Sequence, residues 1–152
     1  MPIRILAIGK KHESWVQEGI LRYETRLKRP FNVEWVLLPH SAREGNAARQ
    51  DESQRLLSRL HDNVFVVLLD EHGKQLDSPA LSKVLLVPLE TSTEVVIIIG
   101  GAYGVDTSVH ARANLVWSLS PLVFPHQLVR LILAEQLYRA QEIAAGNPYH
   151  HV

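Results

Sequence analysis

The sequence predicts an α/β fold built on a mainly parallel sheet with helices on both faces. Two observations carry that expectation. Strand-like and helix-like segments alternate from end to end, the order that builds parallel βαβ units. Two of the strand-like runs, "VFVVLL" (64–69) and "VVIII" (95–99), are apolar at every position, so each needs cover on both faces. A length of 152 residues suits one domain that buries roughly 70% of its unfolded surface. No repeat, low-complexity tract or linker divides it, so a single domain, 1–152, is expected.

The elements follow in order. "IRILAIGK" (3–10) is a strand that stops at glycine. From Ser14 to Leu27, Trp15, Gly19, Tyr23 and Leu27 recur at i+4 with Val16 and Ile20 beside them, an amphipathic helix that Pro30 closes. "NVEWVLLP" (32–39) alternates and then turns apolar, a second strand. The polar segment "HSAREGNAARQDESQ" (40–54) reads as a mobile loop leading into a helix that carries Leu56, Leu57 and Leu60. "VFVVLLD" is the third strand, and "EHGK" the turn after it. "DSPALSKVL" opens a helix with Asp77 or Ser78 as N-cap and Pro79 in its first turn. Val95–Ile99 is the fourth strand, "NLVWSLS" (114–120) the fifth, and a long last helix ends near Gly146.

That last helix is apolar on nearly every side. At 100° per residue, Leu128, Val129, Leu131, Ile132, Leu133, Leu137, Ala140 and Ile143 spread round the whole wheel. A helix of this kind is buried all round. In a chain this small one face packs on its own sheet and another on a second copy, so a two-fold homodimer is expected.

Composition narrows the chemistry. There is no cysteine, which removes disulfides, zinc–thiolate sites and cysteine nucleophiles. The opening "MPIRILAIGKK" has too short an apolar run for a signal core, and no stretch approaches the roughly 20 apolar residues of a membrane span; a cytoplasmic protein is expected. The eight histidines show no metal-ligand spacing. Formal net charge is zero, yet residues 1–60 hold eleven Lys/Arg against seven Asp/Glu, and the remainder five against nine. A local basic surface on a neutral protein follows from that asymmetry.

In open parallel sheets ligands sit beyond the carboxyl ends of the strands, where three loops qualify: "LLDEHGK", "IIGGAYG" and "SLSPLVFPH". Gly100, Gly101 and Gly104 let main chain approach a ligand closely, or simply make a tight turn. "GGAYG" is neither a dinucleotide fingerprint nor a Walker loop. The proline-flanked loop is rigid, suited to walling a flat uncharged group or to packing beneath its neighbouring helix. His126 and Arg130 lie at i, i+4 on the last helix, as do Glu135 and Arg139; the second pair reads as an ion pair unless something else recruits it. Tyr149, His150 and His151 close the chain.

Taken together, "LAIGK", "IGGAYG", "LSPLVFPHQLVRLILAEQLYRA" and the ending "NPYHHV" resemble the RlmH (YbeA-like) family of SPOUT-class methyltransferases across essentially the whole chain. The resemblance implies a homodimer with a deep C-terminal trefoil knot, here roughly residues 64–152. It also implies S-adenosylmethionine as methyl donor, and N3 of a pseudouridine in a hairpin of 23S ribosomal RNA, in the large subunit or assembled ribosome, as acceptor. The donor site carried over by resemblance is Leu69, Gly100, Gly101 and the run Leu119, Ser120, Pro121, Leu122, Val123 and Phe124. Tyr103 departs from the acid or amide of some relatives.

The family's chemistry is largely positioning, but the neutral imide nitrogen must lose its N3 proton. Candidates are His126, His150 or Glu135 as proton acceptor, or Arg130 and Arg139 as cations that favour the imide anion. Basic residues Lys10, Lys11, Arg22, Arg26, Arg43 and Arg49 are candidates for phosphate contact. Two other functions fit the pattern: a ribosome-binding module without catalysis, and a flavodoxin-type protein whose glycine loop holds phosphate.

Overall fold

The structure is a computed structural model that describes residues 1–151. Five strands, β1 (Ile3–Ile8), β2 (Val33–Leu38), β3 (Phe65–Gln75), β4 (Val95–Ile99) and β5 (Leu115–Ser118), form one sheet in the order β2-β1-β4-β3-β5. Every pairing is parallel. β1, β4 and β3 are interior, and β4 is buried at all five positions, which is why it carries no polar residue to alternate with. β1 runs beside β4, so chain segments some ninety residues apart end side by side: Ala7 is in register with Ile99.

Two hydrophobic layers flank the sheet. On one face Ile3, Ile5, Val67, Val95 and Ile97 meet Leu81 and Leu85 of α3 (Ser78–Glu90) and Leu133 and Leu137 of α5 (His126–Ala144). On the other, Leu6, Ile8, Val66, Leu68, Val96 and Ile98 meet Leu56 of α2 (Gly45–Leu57) and Val109 of α4 (Thr107–Arg112). The alternating side chains of each strand therefore serve both layers, and burying each such Leu or Ile contributes about 1.5–3 kcal/mol. α1 (Ser14–Glu24) does not rest on the strands alone; its Val16 and Ile20 pack on Ala134 of α5. Close approach there requires Gly19, where a Cβ would lie 2.8 Å from Leu131 Cδ1.

Three local expectations are corrected, and one element is added. Residues 45–54 are helix rather than loop. α2 buries Glu52 and Ser53 as well as Ala48 and Leu56, so its inward face is half polar and shows no apolar stripe. "EHGK" is no turn: β3 continues to Gln75, but Leu69 and Lys74 both face Trp117 of β5, so the intervening residues loop out of the ladder. Gly73 permits this, since a Cβ would stand 2.7 Å from the Val116 carbonyl oxygen. α1 ends at Glu24 and tightens into turns in which Arg26 donates to Tyr23 and Leu27 to Glu24. α4, unread in the sequence, is nucleated by Asp106, whose carboxylate accepts from the Ser108 and Val109 amides. At α3 the choice of N-cap falls to Asp77, which accepts from the Ala80 amide at 2.9 Å.

Candidate active site

A cleft of about 480 Å³ opens at the carboxyl ends of β3, β4 and β5, within the size range of small-molecule sites. Three loops wall it. From β3 come Leu69, still paired, and Asp70, Glu71 and His72, which leave the ladder; after β4 come Gly100 to Val105; after β5 come Leu119, Ser120, Leu122, Val123 and Phe124. His126 and Val129 of α5 and Arg49 of α2 complete the lining. Pro121 is exposed and does not line the cleft; it is the middle residue of the turn in which the Leu122 amide donates to Ser120 Oγ at 3.0 Å. Leu122 and Val123 are 69% and 75% exposed, an apolar lip with no cover of its own.

The glycines have separate reasons. Gly104 adopts φ +74° and donates to the Gly101 carbonyl at 3.0 Å, closing a tight turn. Gly100 and Gly101 have no positive φ; what they lack room for is a Cβ, which at Gly100 would meet Val105 at 3.0 Å and at Gly101 would meet Glu52 Oε1 at 2.5 Å. Their smallness is demanded by the protein's own atoms on the far side of the loop. Ser53 Oγ accepts from the Asp106 amide at 3.0 Å, so α2 packs against this loop at Gly101 and bonds it at Asp106.

Asp70 sits between two imidazoles, 3.2 Å from His72 Nδ1 and 3.3 Å from His110 Nε2. With Glu71 it gives the β3 wall a negative character suited to a cationic ligand.

The five candidate catalytic residues, four on α5 and His150 in the tail, fall in separate places. His126 is half-buried at its first turn, on the cleft. Burial, then the Arg130 guanidinium, then His40 hold its pKa below the ordinary histidine value, while the Gly100 carbonyl and Glu52 pull the other way. Arg130 faces inward: it is 1% exposed and donates through Nη1 to the Lys10 carbonyl at 2.8 Å. There it stands beside His12, whose pKa is lowered by its own burial and by that guanidinium. Arg130 thus anchors the loop after β1 and does not line the cleft. Glu135 and Arg139 lie nine and thirteen positions beyond His126, about 14 and 20 Å along the helix.

Those two residues join the chain end. Arg139 reaches Glu135 at 2.7 Å, stacks 4.9 Å above the Tyr149 ring and approaches His150 Nδ1 at 3.0 Å. Tyr149 donates to Glu135 at 2.9 Å. Burial and then the Glu135 carboxylate push the Tyr149 phenol up to about 12. His150 also lines a neighbouring depression of about 470 Å³ that shares Leu119 with the cleft.

Glu52, Ser53, Asp70 and Glu71 are the site residues that sequence reasoning missed. A signal existed only for the β3 pair, which directly follows the apolar run 64–69 in the segment "LLDEHGK" already marked as a candidate ligand loop.

Comparison with known proteins places this fold in a family. The family model described as "Predicted SPOUT methyltransferase" matches residues 1–150. The chain belongs to the SPOUT methyltransferase family. Among SPOUT relatives, Ribosomal RNA large subunit methyltransferase H of Geotalea daltonii is 42% identical, covering 99% of this chain and all of its own. The protein of the same name from Geobacter metallireducens is 43% identical, covering 99% of each. A methylase family protein of known structure from Neisseria gonorrhoeae shares the fold, with a TM-score of 0.52 and 13% identity over 99% of this chain and 85% of its own. The five-stranded parallel sheet is that of a SPOUT enzyme, and a C-terminal knot and a dimer are consistent with the family.

Proposed function

We propose that this methyltransferase moves a methyl group from S-adenosylmethionine to N3 of a pseudouridine in 23S ribosomal RNA, working as a homodimer in the cytoplasm. The observation that carries the reading is the cleft itself: main chain of Gly100–Gly104 on one side, the 119–124 loop on another, and acidic Asp70 and Glu71 on the third. Relatives about 40% identical over their full length bear the name of a large-subunit ribosomal RNA methyltransferase.

The residues present fit this donor. Leu119, Phe124 and Val129 supply apolar surface for the adenine, and the backbone of both loops supplies donors and acceptors. The carboxylates of Asp70 and Glu71 complement a ligand that carries a sulfonium and an ammonium. The same carboxylates oppose a phosphate, which counts against a flavodoxin-type ligand. When bound, the donor supplies a methyl group already activated by positive sulfur. The protein's part is alignment and removal of the N3 proton.

His126 is the candidate acceptor of that proton, because it alone among the five lines the cleft and its environment favours the neutral, basic form. Glu135, Arg139 and His150 act together, as their hydrogen bonds require. Their distance along α5 from His126 is why a second protomer is invoked: packed on the groove between α1 and α5, it would bring its own tail cluster to a base held at the first protomer's cleft. That groove is lined by Trp15, Leu128, Leu131 and Ile132, and Trp15 is 53% exposed. Lys10, Lys11 and Arg43, all exposed on loops at the strand ends, give the RNA backbone a basic approach. The knotted portion is taken as residues 64–152 of the single domain, of which residue 152 lies outside the described residues.

The test is incubation with methyl-labelled donor and ribosomes that lack the modification, followed by mapping of the labelled nucleotide. Label at N3 of one 23S pseudouridine is the expected result; unlabelled ribosomes, or label elsewhere, would overturn the assignment.

A further inference from the structure

A polar cluster lies behind the glycine turn, on the side away from the cleft. α2 supplies Glu52, which is only 3% exposed; a carboxylate is kept in such a place only where its charge is answered. Its Oε2 accepts from the Ser41 amide at 2.9 Å and stands 3.9 Å from His40 Nδ1. Its Oε1 is buried with no hydrogen-bond partner among the described residues. That orphaned oxygen is the atom a Cβ on Gly101 would strike. Glu52 therefore abuts the main chain that walls the donor site.

His126 borders the cleft together with the other glycine of the turn, Gly100; its neighbour Arg130, one turn along α5, and His40 crowd the same point at Gly9, where a Cβ would lie 3.1 Å from Arg130 Nη2 and 3.4 Å from His40 Nε2. The charged groups acting on it come from three elements: Arg130 one turn along α5, His40 after β2, and Glu52 of α2. His12, after β1, lies 3.3 Å from Arg130. Arg49 of α2 and Asp70, Glu71 and His72 of β3 border the same cleft from its open side. Of these, Arg130 and His40 disfavour a charged imidazole, and Glu52 is the carboxylate that favours it.

We propose that Glu52 is a positioning residue for methyl transfer: from behind the cleft its carboxylate packs against the Gly100–Gly101 turn and, with His40 and Arg130, sets the charge around the His126 imidazole so that it can take a proton. The inference rests on the methyl-transfer reading above. In that reaction the N3–H bond breaks with its proton going to His126. The nitrogen pair forms the bond to the methyl carbon, and the carbon–sulfur pair stays on sulfur, leaving a neutral thioether. Charge therefore appears on the imidazole just where Arg130 and His40 resist it. A buried carboxylate offsets that resistance, since Coulomb attraction is little screened away from water.

The test is histidine ring titration of the full-length protein by NMR, with the His126 signal identified by its loss in His126→Gln. In Glu52→Gln the His126 midpoint should fall by about 0.5 pH or more. kcat at neutral pH should fall about tenfold while the donor Kd changes less than about threefold. A folded Glu52→Gln protein whose His126 midpoint stays put overturns the proposal. The wild-type protein gives an independent answer should the variant not fold: the Glu52 carboxyl carbon must show an inflection at the His126 midpoint, and a flat trace there is equally fatal. A shifted titration in a protein that methylates no ribosome sustains the link and refutes the methyl-transfer reading. Methylation with an unmoved titration does the reverse.

Discussion

The Tyr149 hydroxyl donates to the Glu135 carboxylate at 2.9 Å, closing a ring in which Arg139 grips the same carboxylate and stacks over the phenol. The chain end is thereby folded back onto α5, and a residue pair that reads as a plain i, i+4 ion bridge becomes the anchor of the tail. Such a network is partly buried and mutually satisfied, the condition under which its members act as a unit.

The tail should come loose at high pH. The Tyr149 phenol is raised to about 12 from an ordinary value of 10. A folded-state pKa above the unfolded one means the contribution is fully present below about pH 10 and is lost as pH rises through about 12. A spectrophotometric tyrosine titration of wild type minus Tyr149→Phe should show one phenol ionising near 12. A difference curve centred at 10 would remove the network as its cause.

His126 gives the opposite window. Its pKa is depressed below 6.5, so the unfolded chain binds the proton first, and stability associated with this site is present above 6.5 and declines as pH falls toward the folded value. Methyl transfer should likewise keep its acid limb below 6.5. His126→Gln should cost about 10²–10⁴ in kcat with little change in donor binding. Arg130→Met should move the His126 midpoint upward, because it removes a neighbouring cation, while costing about 1–3 kcal/mol for the stranded Lys10 carbonyl. A downward movement would contradict the charge arrangement described.

Gly101→Ala places a methyl carbon 2.5 Å from Glu52 Oε1. Overpacking of this kind costs about 1–3 kcal/mol, and donor affinity should fall with it because the strained segment is the cleft wall. Glu52→Ala in the same chain should recover part of the stability. Denaturant titration of the two single variants and the double variant measures the coupling; simple additivity would place the clash elsewhere.

Trp15→Glu or Leu131→Glu should convert the protein to monomers, seen as a halved mass in sedimentation at micromolar concentration. Both residues border the α1–α5 groove, and a charge there is desolvated on association. The monomer should lose methyl transfer while its far-UV spectrum is kept. Transfer by a monomer would show that one protomer's His126 suffices without a partner's tail.

Much of this was legible in the residues. "VVIII" announced an interior strand because β4 is covered on both faces and had no polar position to spare. α5 announced itself as a helix with more than one covered face, and "LSPLVFPHQLVRLILAEQLYRA" carried the family resemblance that the match over residues 1–150 confirmed. Other parts were illegible for the same physical reason run backwards. α2 turns Glu52 and Ser53 inward, so the usual correspondence between polar and exposed fails just where the site needs polar support. β3 leaves its ladder at Asp70 because Trp117 pairs on both sides of the excursion, an event that depends on β5, more than forty residues away.

The sequence by itself determined the alternation of elements, the parallel sheet, the three loops at its carboxyl ends and the family, since each follows from local pattern or from contiguous motif. Tertiary structure alone decided which glycine answers to a turn and which to a carboxylate behind it, that Arg130 looks inward, and that α5 divides its candidates between the cleft and the tail. Those outcomes depend on which atoms crowd a given point in space, and such crowding is set by strand order and helix packing between segments far apart in the chain.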